Sequence, residues 1–337
     1  MKVGAAVVRS IVVGALSMGC STNGPLTLAV SDGSASEYDA GDAAPIDASD
    51  AGESKRGFPA SDPWLSFYGN ATQMNDLARA ASTFRIINLD ADPDVANFND
   101  AQISMLRGGG SNRVISYLNV GSCEKFRSYW ATAPAFKSCS ENVAAQIGPY
   151  AGYPDEVWMN VGNADYQALV VDYVAARLAK RGIDGFFLDN LEVVEHGTST
   201  TNGPCDAACA QGGLDLVRKL REKFPDMLIV MQNATSDFTR LGKTGGIDFP
   251  TLLDGISHEE VYQPSYDAQA EAQMKKWSLM ELRPGGRTFF IGTEDYVQSC
   301  ANTTAAKSAY VASRTSGFSP YATDQSSGQK VVCYWPF

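Results

Sequence analysis

The feature that most constrains the fold is a regular alternation of short apolar runs and helical patterns, which begins near residue 64. Residues 186–188 and 228–231 are apolar without interruption, as expected of strands that are covered on both faces. Eight strands are predicted on this basis, at residues 64–68, 84–89, 114–119, 185–188, 228–232, 255–257, 288–292 and 317–321.

Helical patterns separate the later strands. Four helices are predicted, at residues 163–181, 214–224, 268–282 and 302–313. Strands that alternate with helices form parallel sheets, and eight such units favour an α/β fold, a closed (β/α)8 barrel of the TIM type. A doubly wound open sheet is the alternative, but the chain has neither a GxGxxG motif after the first strand nor a Walker loop. Residues 156–161 are an ambiguous additional strand.

The N-terminus has the pattern of an export signal. A positively charged start, an apolar stretch and small residues before Cys20 predict a signal peptide over residues 1–20, which is too short to span a membrane. Residues 16–20 resemble a bacterial lipobox, with Leu16 one place too far upstream, so Cys20 is a candidate for lipidation. Ordinary cleavage nearby, with release from the cell, is the alternative.

Residues 21–56 are rich in Ser, Gly, Ala and Asp. Such a stretch cannot bury enough apolar surface to offset the entropy of ordering, so we predict an acidic, flexible tether. The barrel domain is then predicted to cover residues 57–337, in a secreted or cell-surface lipoprotein of a bacterium. The only membrane contact expected is through a lipid on Cys20.

Besides Cys20, the chain has six cysteines, and an even number in an exported protein suggests three disulfides. Many pairings are possible for six cysteines. Pairing neighbours along the sequence gives 123–139, 205–209 and 300–333. A metal site is a weaker interpretation because no paired CxxC motifs are present, and neither a metal nor a cofactor is predicted.

The formal net charge of −11 argues against a nucleic-acid partner, which would require a basic face. An acidic surface suits a neutral or cationic substrate, although solubility alone also explains it. The two histidines make a His-rich metal site unexpected. We expect a monomer.

Two carboxylates lie where a parallel barrel places its chemistry, at the C-terminal ends of strands. Asp189 ends the fourth predicted strand segment and Glu259 the sixth, and each follows an Asp-Gly pair that begins five residues earlier. Asp184 and Asp254, in those pairs, fall at the opposite end of the barrel and are predicted to be turn and strand-start residues. Hydrolysis of a glycosidic bond requires two carboxyl groups, although acids at strand ends also serve as helix caps and ion pairs.

Other polar and aromatic residues near strand ends suit sugar binding, because aromatic faces stack on pyranose rings and polar groups bond hydroxyl or amino groups. The seventh strand leads into Thr293–Asp295 and Tyr296. Taken singly, each of these residues could instead have a structural role, such as packing in the core or capping a helix. The candidates for substrate binding are Trp64, Tyr68, Asp90, Tyr117, Asn119, Glu124, Asn233 and Tyr262.

Four segments, at residues 64–68, 114–124, 184–189 and 254–262, resemble glycoside hydrolase family 114, the endo-α-1,4-polygalactosaminidase-like group of (β/α)8 barrels. The resemblance covers residues 60–335 in the family's order. It implies endo-cleavage of α-1,4-linked galactosamine polymers, with Asp189 and Glu259 as the catalytic pair. It also implies a substrate cleft lined by Asp90, Tyr117, Asn119, Glu124 and Asn233.

The chain departs from the family pattern at Asn119, where a small hydroxyl residue is expected, and in the cysteine-bearing loops beside the cleft. By position, Asp189 is expected to be the nucleophile and Glu259 the general acid/base, kept protonated by partial burial against Tyr262 and by the Asp189 charge. The distance between the carboxyl groups, which the sequence does not fix, decides between retention and inversion.

Three alternatives remain open. The barrel could be a catalytically inactive polysaccharide-binding protein or a glycosidase with another sugar specificity. An esterase is a further alternative, but the chain has no Gly-x-Ser-x-Gly motif.

Overall fold

Eight parallel strands follow one another around a nearly closed barrel in the computed structural model, which describes residues 57–58, 60–282 and 288–337. They are hydrogen-bonded in chain order, and the indole of Trp64 donates to the Ser319 carbonyl oxygen across the remaining gap, at 2.9 Å. The strands are β1 (Trp64–Phe67), β2 (Ile86–Leu89), β3 (Arg113–Asn119), β4 (Gly185–Asp189), β5 (Leu228–Gln232), β6 (Gly255–Glu259), β7 (Phe290–Val297) and β8 (Ser319–Asp324).

The predicted (β/α)8 architecture is therefore confirmed, and all eight predicted strands exist. The largest difference is at β7, which was expected to end at residue 292 but continues to Val297. The described α-helices are Ala71–Met74, Leu77–Thr83, Asp100–Leu106, Ser128–Ala131, Ala164–Ala168, Ala175–Ala179, Ala207–Lys223, Asp237–Arg240, Ala268–Ser278 and Thr303–Thr315. A π-helical turn over Leu169–Val174 joins the fifth and sixth of them.

The helix Ala207–Lys223 begins seven residues before the predicted start at residue 214. Asp206 caps it by accepting a hydrogen bond from the Cys209 amide, at 2.8 Å. Gly212 and Gly213 weaken the helical pattern in the sequence, but packing explains Gly212. A Cβ atom there would lie 2.1 Å from the Gly162 backbone, so the close approach of the two segments requires glycine.

A three-stranded antiparallel sheet is inserted between β3 and β4. Its strands are Ser122–Glu124, Gln146–Pro149 and Glu156–Met159, with the last in the middle. The ambiguous stretch at residues 156–161 is therefore largely a strand of this side sheet. The Cys123–Cys139 disulfide lies in the same insertion, and the three predicted disulfide pairings are all present in the structure.

The predicted signal peptide and tether lie outside the described residues. Within the described part of the chain, no helix combines the length and the apolar character needed to cross a membrane.

The two Asp-Gly pairs stabilise the N-terminal end of the barrel. Asp184 accepts a hydrogen bond from the Val114 amide, at 2.9 Å, and forms an ion pair with Arg107. Asp254 accepts one from the Ile229 amide, also at 2.9 Å, and pairs with Arg221. Both carboxylates join neighbouring strands, as their predicted structural role requires.

The two ion pairs differ in burial, and burial determines how much each is expected to contribute to the free energy of unfolding. The side chains of Arg221 and Asp254 are 9% and 0% exposed, whereas that of Arg107 is 39% exposed. We expect Asp254→Asn to lower the free energy of unfolding by about 3 kcal/mol, because it leaves a buried guanidinium without its counter-charge. Asp184→Asn, the matched variant at the more exposed pair, should cost about 1 kcal/mol. Urea denaturation measures both, and equal losses would contradict this ranking.

Candidate active site

Asp189 is the last residue of β4 and Glu259 the last residue of β6, at the C-terminal end of the barrel. The residues that directly follow β4, β5 and β6 are Asn190, Asn233 and Glu260, with φ values of 62°, 62° and 54°. Left-handed backbone is costly for a non-glycine residue, particularly for glutamate, and such strain concentrates at functional sites. The chain thus turns abruptly at the end of three consecutive strands.

The Glu259 carboxylate is held by two donors. Asn233 donates from Nδ2 to Glu259 Oε2 at 2.8 Å, and its Oδ1 accepts from the Glu259 amide at 3.0 Å. The Tyr296 hydroxyl donates to Glu259 Oε1, and Gln329 in turn donates to that hydroxyl at 2.5 Å. These contacts fix the orientation of the carboxylate before any substrate binds.

Tyr262 does not make the contact with Glu259 that the sequence suggested. Its hydroxyl donates to Glu271 at 3.2 Å, and its ring stacks on Tyr266. It is thus Tyr296, and not Tyr262, whose hydroxyl bonds Glu259.

Asp189 lies in a strongly negative environment. Burial and then the negative charges of Glu259 and Glu156 raise the pKa of Asp189 to about 8. At neutral pH the ligand-free site therefore keeps a proton on Asp189, the residue that was expected to be the ionised nucleophile.

The loop after β3 positions Asp189 through the backbone. The Val120 amide donates to the Asp189 carbonyl oxygen at 3.0 Å. A Cβ atom on Gly121 would lie 1.7 Å from the Asn190 carbonyl oxygen, so only glycine fits there. Asn119 is buried and bonds the Ser122 amide and hydroxyl, at 2.9 and 2.8 Å. The predicted contact of Asn119 with substrate is thus replaced by a structural one that shapes this loop.

Asp90 and Glu124, both predicted to line the cleft, are buried on either side of Arg127. The guanidinium lies 3.0 Å from the Asp90 carboxylate and 2.7 Å from that of Glu124. Burial raises the pKa of Glu124 to about 7, although the Arg127 charge acts in the opposite direction. Both acids are therefore committed to an ion-pair network, which the sequence did not reveal because Arg127 was not singled out.

The aromatic candidates divide between the core and the site. Trp64 is fully buried at the start of β1, where its ring contacts Phe187, Phe290 and Tyr321. It is a core residue, and its prediction as a sugar platform is wrong because it lies at the opposite end of the strand. Tyr68 follows β1, and its ring meets that of Tyr117 edge to face, at 5.4 Å.

Tyr68 and Tyr117 both lie within the electrostatic influence of the acids. Burial and then the Glu294 charge raise the pKa of the Tyr68 phenol well above its ordinary value, with Asp189 contributing further. The Tyr117 hydroxyl lies 3.5 Å from Glu124, and a hydrogen bond from Tyr117 partly offsets the raised pKa of Asp189.

Four site residues were not selected from the sequence: Glu156, Glu192, Glu294 and Tyr296. Glu294 is opposite Glu259 in the β6–β7 register and is fully buried. Neither of its carboxylate oxygens has a hydrogen-bond partner among the described residues. Burial and then the Glu259 charge raise the pKa of Glu294 well above its ordinary value. The signal for Glu294 and Tyr296 was present, but the predicted seventh strand ended too early.

The described residues include one group of three potential metal ligands, Cys300, Asp324 and Cys333. The two cysteines are joined in a disulfide, so their sulfurs are not available as thiolate ligands.

A (β/α)8 barrel with two interacting carboxyl groups at the C-terminal ends of β4 and β6 has the architecture of a glycoside hydrolase. The sequence model of glycoside-hydrolase family GH114 matches residues 50–249. The chain belongs to this family and is a glycoside hydrolase.

Solved structures give the same fold. The glycoside hydrolase domain of PelA from Pseudomonas aeruginosa is 17% identical and superposes with a TM-score of 0.58, over 79% of this chain and 95% of that domain. A variant of that domain, also 17% identical over the same shares of both chains, gives 0.56. No curated protein matches the chain.

The raised pKa of Asp189 predicts a pH-dependent stability cost. An unfolded aspartate has a pKa of about 4, so a folded value of about 8 means that the fold is favoured with Asp189 protonated. The wild type therefore loses stability from this group as the pH rises from about 4 to about 8. Asp189→Asn removes the charge, so the variant should gain thermal stability over the wild type at pH 8 and little at pH 4.

Thermal unfolding across this pH range measures the difference. Asp226→Asn, at an exposed aspartate, is the matched control and should follow the wild type throughout. A stability gain by Asp189→Asn that does not depend on pH would refute the assignment of the proton to Asp189.

Proposed function

We propose that this protein is an endo-acting hydrolase of α-1,4-linked galactosamine-containing polysaccharide, with Asp189 and Glu259 as its catalytic carboxyl groups. The observation that carries the proposal is the interaction of these two groups, since burial and the Glu259 charge together raise the pKa of Asp189. A carboxyl pair that holds one proton supplies both an acid and a carboxylate, which is what cleavage of a glycosidic bond requires.

The positional assignment makes Asp189 the group that attacks the anomeric carbon and Glu259 the group that protonates the leaving oxygen. In the ligand-free site Asp189 holds a proton at neutral pH, so this assignment requires the proton to pass to Glu259 when substrate binds. A substrate ammonium group that binds nearer to Asp189 than to Glu259 would promote that transfer, because a positive charge beside a carboxyl group favours its ionised form.

The charge of the site supports an amino sugar. Asp189, Glu156, Glu192, Glu259 and Glu294 influence one another electrostatically at the end of the barrel. The nearby Arg127 is occupied by Asp90 and Glu124. The free ammonium groups of polygalactosamine complement the ionised carboxylates of this cluster and favour ionisation of the protonated ones, whereas the neutral amides of an N-acetylated polymer do neither.

Export supports a polysaccharide outside the cell as the target. Three disulfides suit an oxidising compartment. The signal peptide over residues 1–20 and lipidation at Cys20 remain predictions from the sequence, as does the monomeric state.

The first test is reducing-end release from purified polygalactosamine. We expect the wild type to be active, and Asp189→Asn and Glu259→Gln to lower kcat by about 1,000-fold each, because each removes a group that acts in the transition state. Glu260→Gln is the matched control, since Glu260 follows β6 in a left-handed conformation, and it should retain activity within a few-fold. Equal losses in all three variants would contradict the assignment of Glu259.

No release by a folded wild type would remove the galactosamine assignment. If that protein bound the polymer without cleaving it, the barrel would be a polysaccharide-binding protein.

If the ammonium groups of the substrate act as proposed, the enzyme should prefer deacetylated polymer. Full N-acetylation should lower kcat/KM at pH 7 by about 10-fold or more, since the neutral polymer neither complements the acids nor promotes ionisation of Asp189. Rates measured on polymers of matched length and graded acetylation test this. A preference for the N-acetylated polymer would refute the role given to the ammonium groups.

A further inference from the structure

An exposed tyrosine lies at the tip of the side sheet and has no part in the catalytic pair. Tyr153 is 48% exposed in the turn between the strands Gln146–Pro149 and Glu156–Met159. Its amide donates to the Tyr150 carbonyl at 3.1 Å, and its carbonyl accepts from the Glu156 amide at 3.0 Å. These hydrogen bonds hold the backbone of the turn at Tyr153, and much of the ring is open to solvent.

Tyr153 rests on a series of aromatic rings. Its ring centroid is 4.7 Å from that of Tyr150, and Tyr150 stacks on Trp158 at 4.1 Å. Trp158 is 1% exposed, and its ring edge meets His196 at 4.9 Å. Because the supporting rings are packed, the outer ring is a fixed surface, and little conformational entropy is lost when a ligand covers it.

This series of rings borders the catalytic pair. The Tyr150 hydroxyl donates to the Asn190 side chain at 3.3 Å, and Asn190 directly follows Asp189. Burial and then the charges of Glu259 and Glu156 raise the pKa of the Tyr153 phenol, so these carboxylates lie within electrostatic range of the ring. The exposed ring thus stands on the wall of the site.

We propose that Tyr153 is the stacking platform of a sugar subsite beside the cleaved bond, an inference that rests on the proposed function. The ligand is one hexosamine residue of the polysaccharide, whose C–H face packs on the ring. The ammonium group of galactosamine adds attraction to the aromatic face and to the neighbouring carboxylates.

The test compares Tyr153→Ala with Tyr153→Phe on polygalactosamine. Removing the ring should raise KM by about 10-fold with a smaller change in kcat, whereas Tyr153→Phe, which keeps the ring, should retain the wild-type KM. Leu279→Ala is the control, because Leu279 is 86% exposed and directly follows the helix Ala268–Ser278, which leads from β6 back towards the N-terminal end of the barrel. It should leave KM unchanged, and all variants should unfold at the wild-type temperature.

Binding of the same polymer to the inactive Asp189→Asn protein gives a readout that does not depend on turnover. Adding Tyr153→Ala to that background should weaken binding by about 10-fold. An active wild type with no change in KM or binding on Tyr153→Ala would overturn the subsite and leave the proposed function standing. Equal losses in Tyr153→Phe and Tyr153→Ala would overturn stacking, since the hydroxyl would then carry the effect. A wild type that neither cleaves nor binds the polymer would overturn the proposed function and the subsite together.

Discussion

The accumulation of carboxyl groups in the C-terminal end of the barrel is the constraint on which the site depends. Charged carboxylates are costly to remove from water and repel one another at short range, so such a group must either hold protons or find donors. Asp189 and Glu294 have raised pKa values, which favour their protonated forms. Glu259 instead accepts hydrogen bonds from Asn233 and Tyr296. One cluster thereby contains both a protonated and an oriented carboxyl group, which is the combination that acid-assisted cleavage needs.

The barrel could be predicted from the sequence because its strands are buried on both faces and are therefore apolar without interruption. That signal fails where a strand continues into buried polar residues. Glu294 and Asp295 are fully enclosed, yet their side chains are typical of a loop. Their burial depends on contacts with β6 and β8, which are remote in sequence, so the prediction stopped at residue 292. Glu294 and Tyr296 were noted after the seventh predicted strand but were not kept as candidates for substrate binding, and both lie in the part of β7 beyond residue 292.

Strand direction determines where the predicted site residues lie in the structure. Asp189 and Glu259 were located because the Asp-Gly pairs mark the start of β4 and β6 and so set where each strand ends. Trp64 failed because it begins β1, at the end of the barrel remote from the site. Tyr262 bonds Glu271 and not Glu259, because Glu260 turns the chain through a left-handed conformation, after which the alternation of side chains along the strand no longer applies. Neither backbone reversals nor ion pairs such as those of Arg127 leave a periodic signal in the sequence.

Under the proposed function, the side sheet inserted after β3 would join catalysis to substrate selection. Barrel enzymes vary their specificity through the loops at this end of the fold, and an identity of 17% to a solved relative leaves those loops free to differ. Here the insertion carries both Glu156, which helps to raise the pKa of Asp189, and Tyr153, three residues earlier. A cation held against this hairpin would offset the Glu156 charge and lower the pKa of Asp189 at the same time. Recognition of an amino sugar and release of the Asp189 proton would then be one electrostatic event, which a neutral sugar of the same shape could not produce.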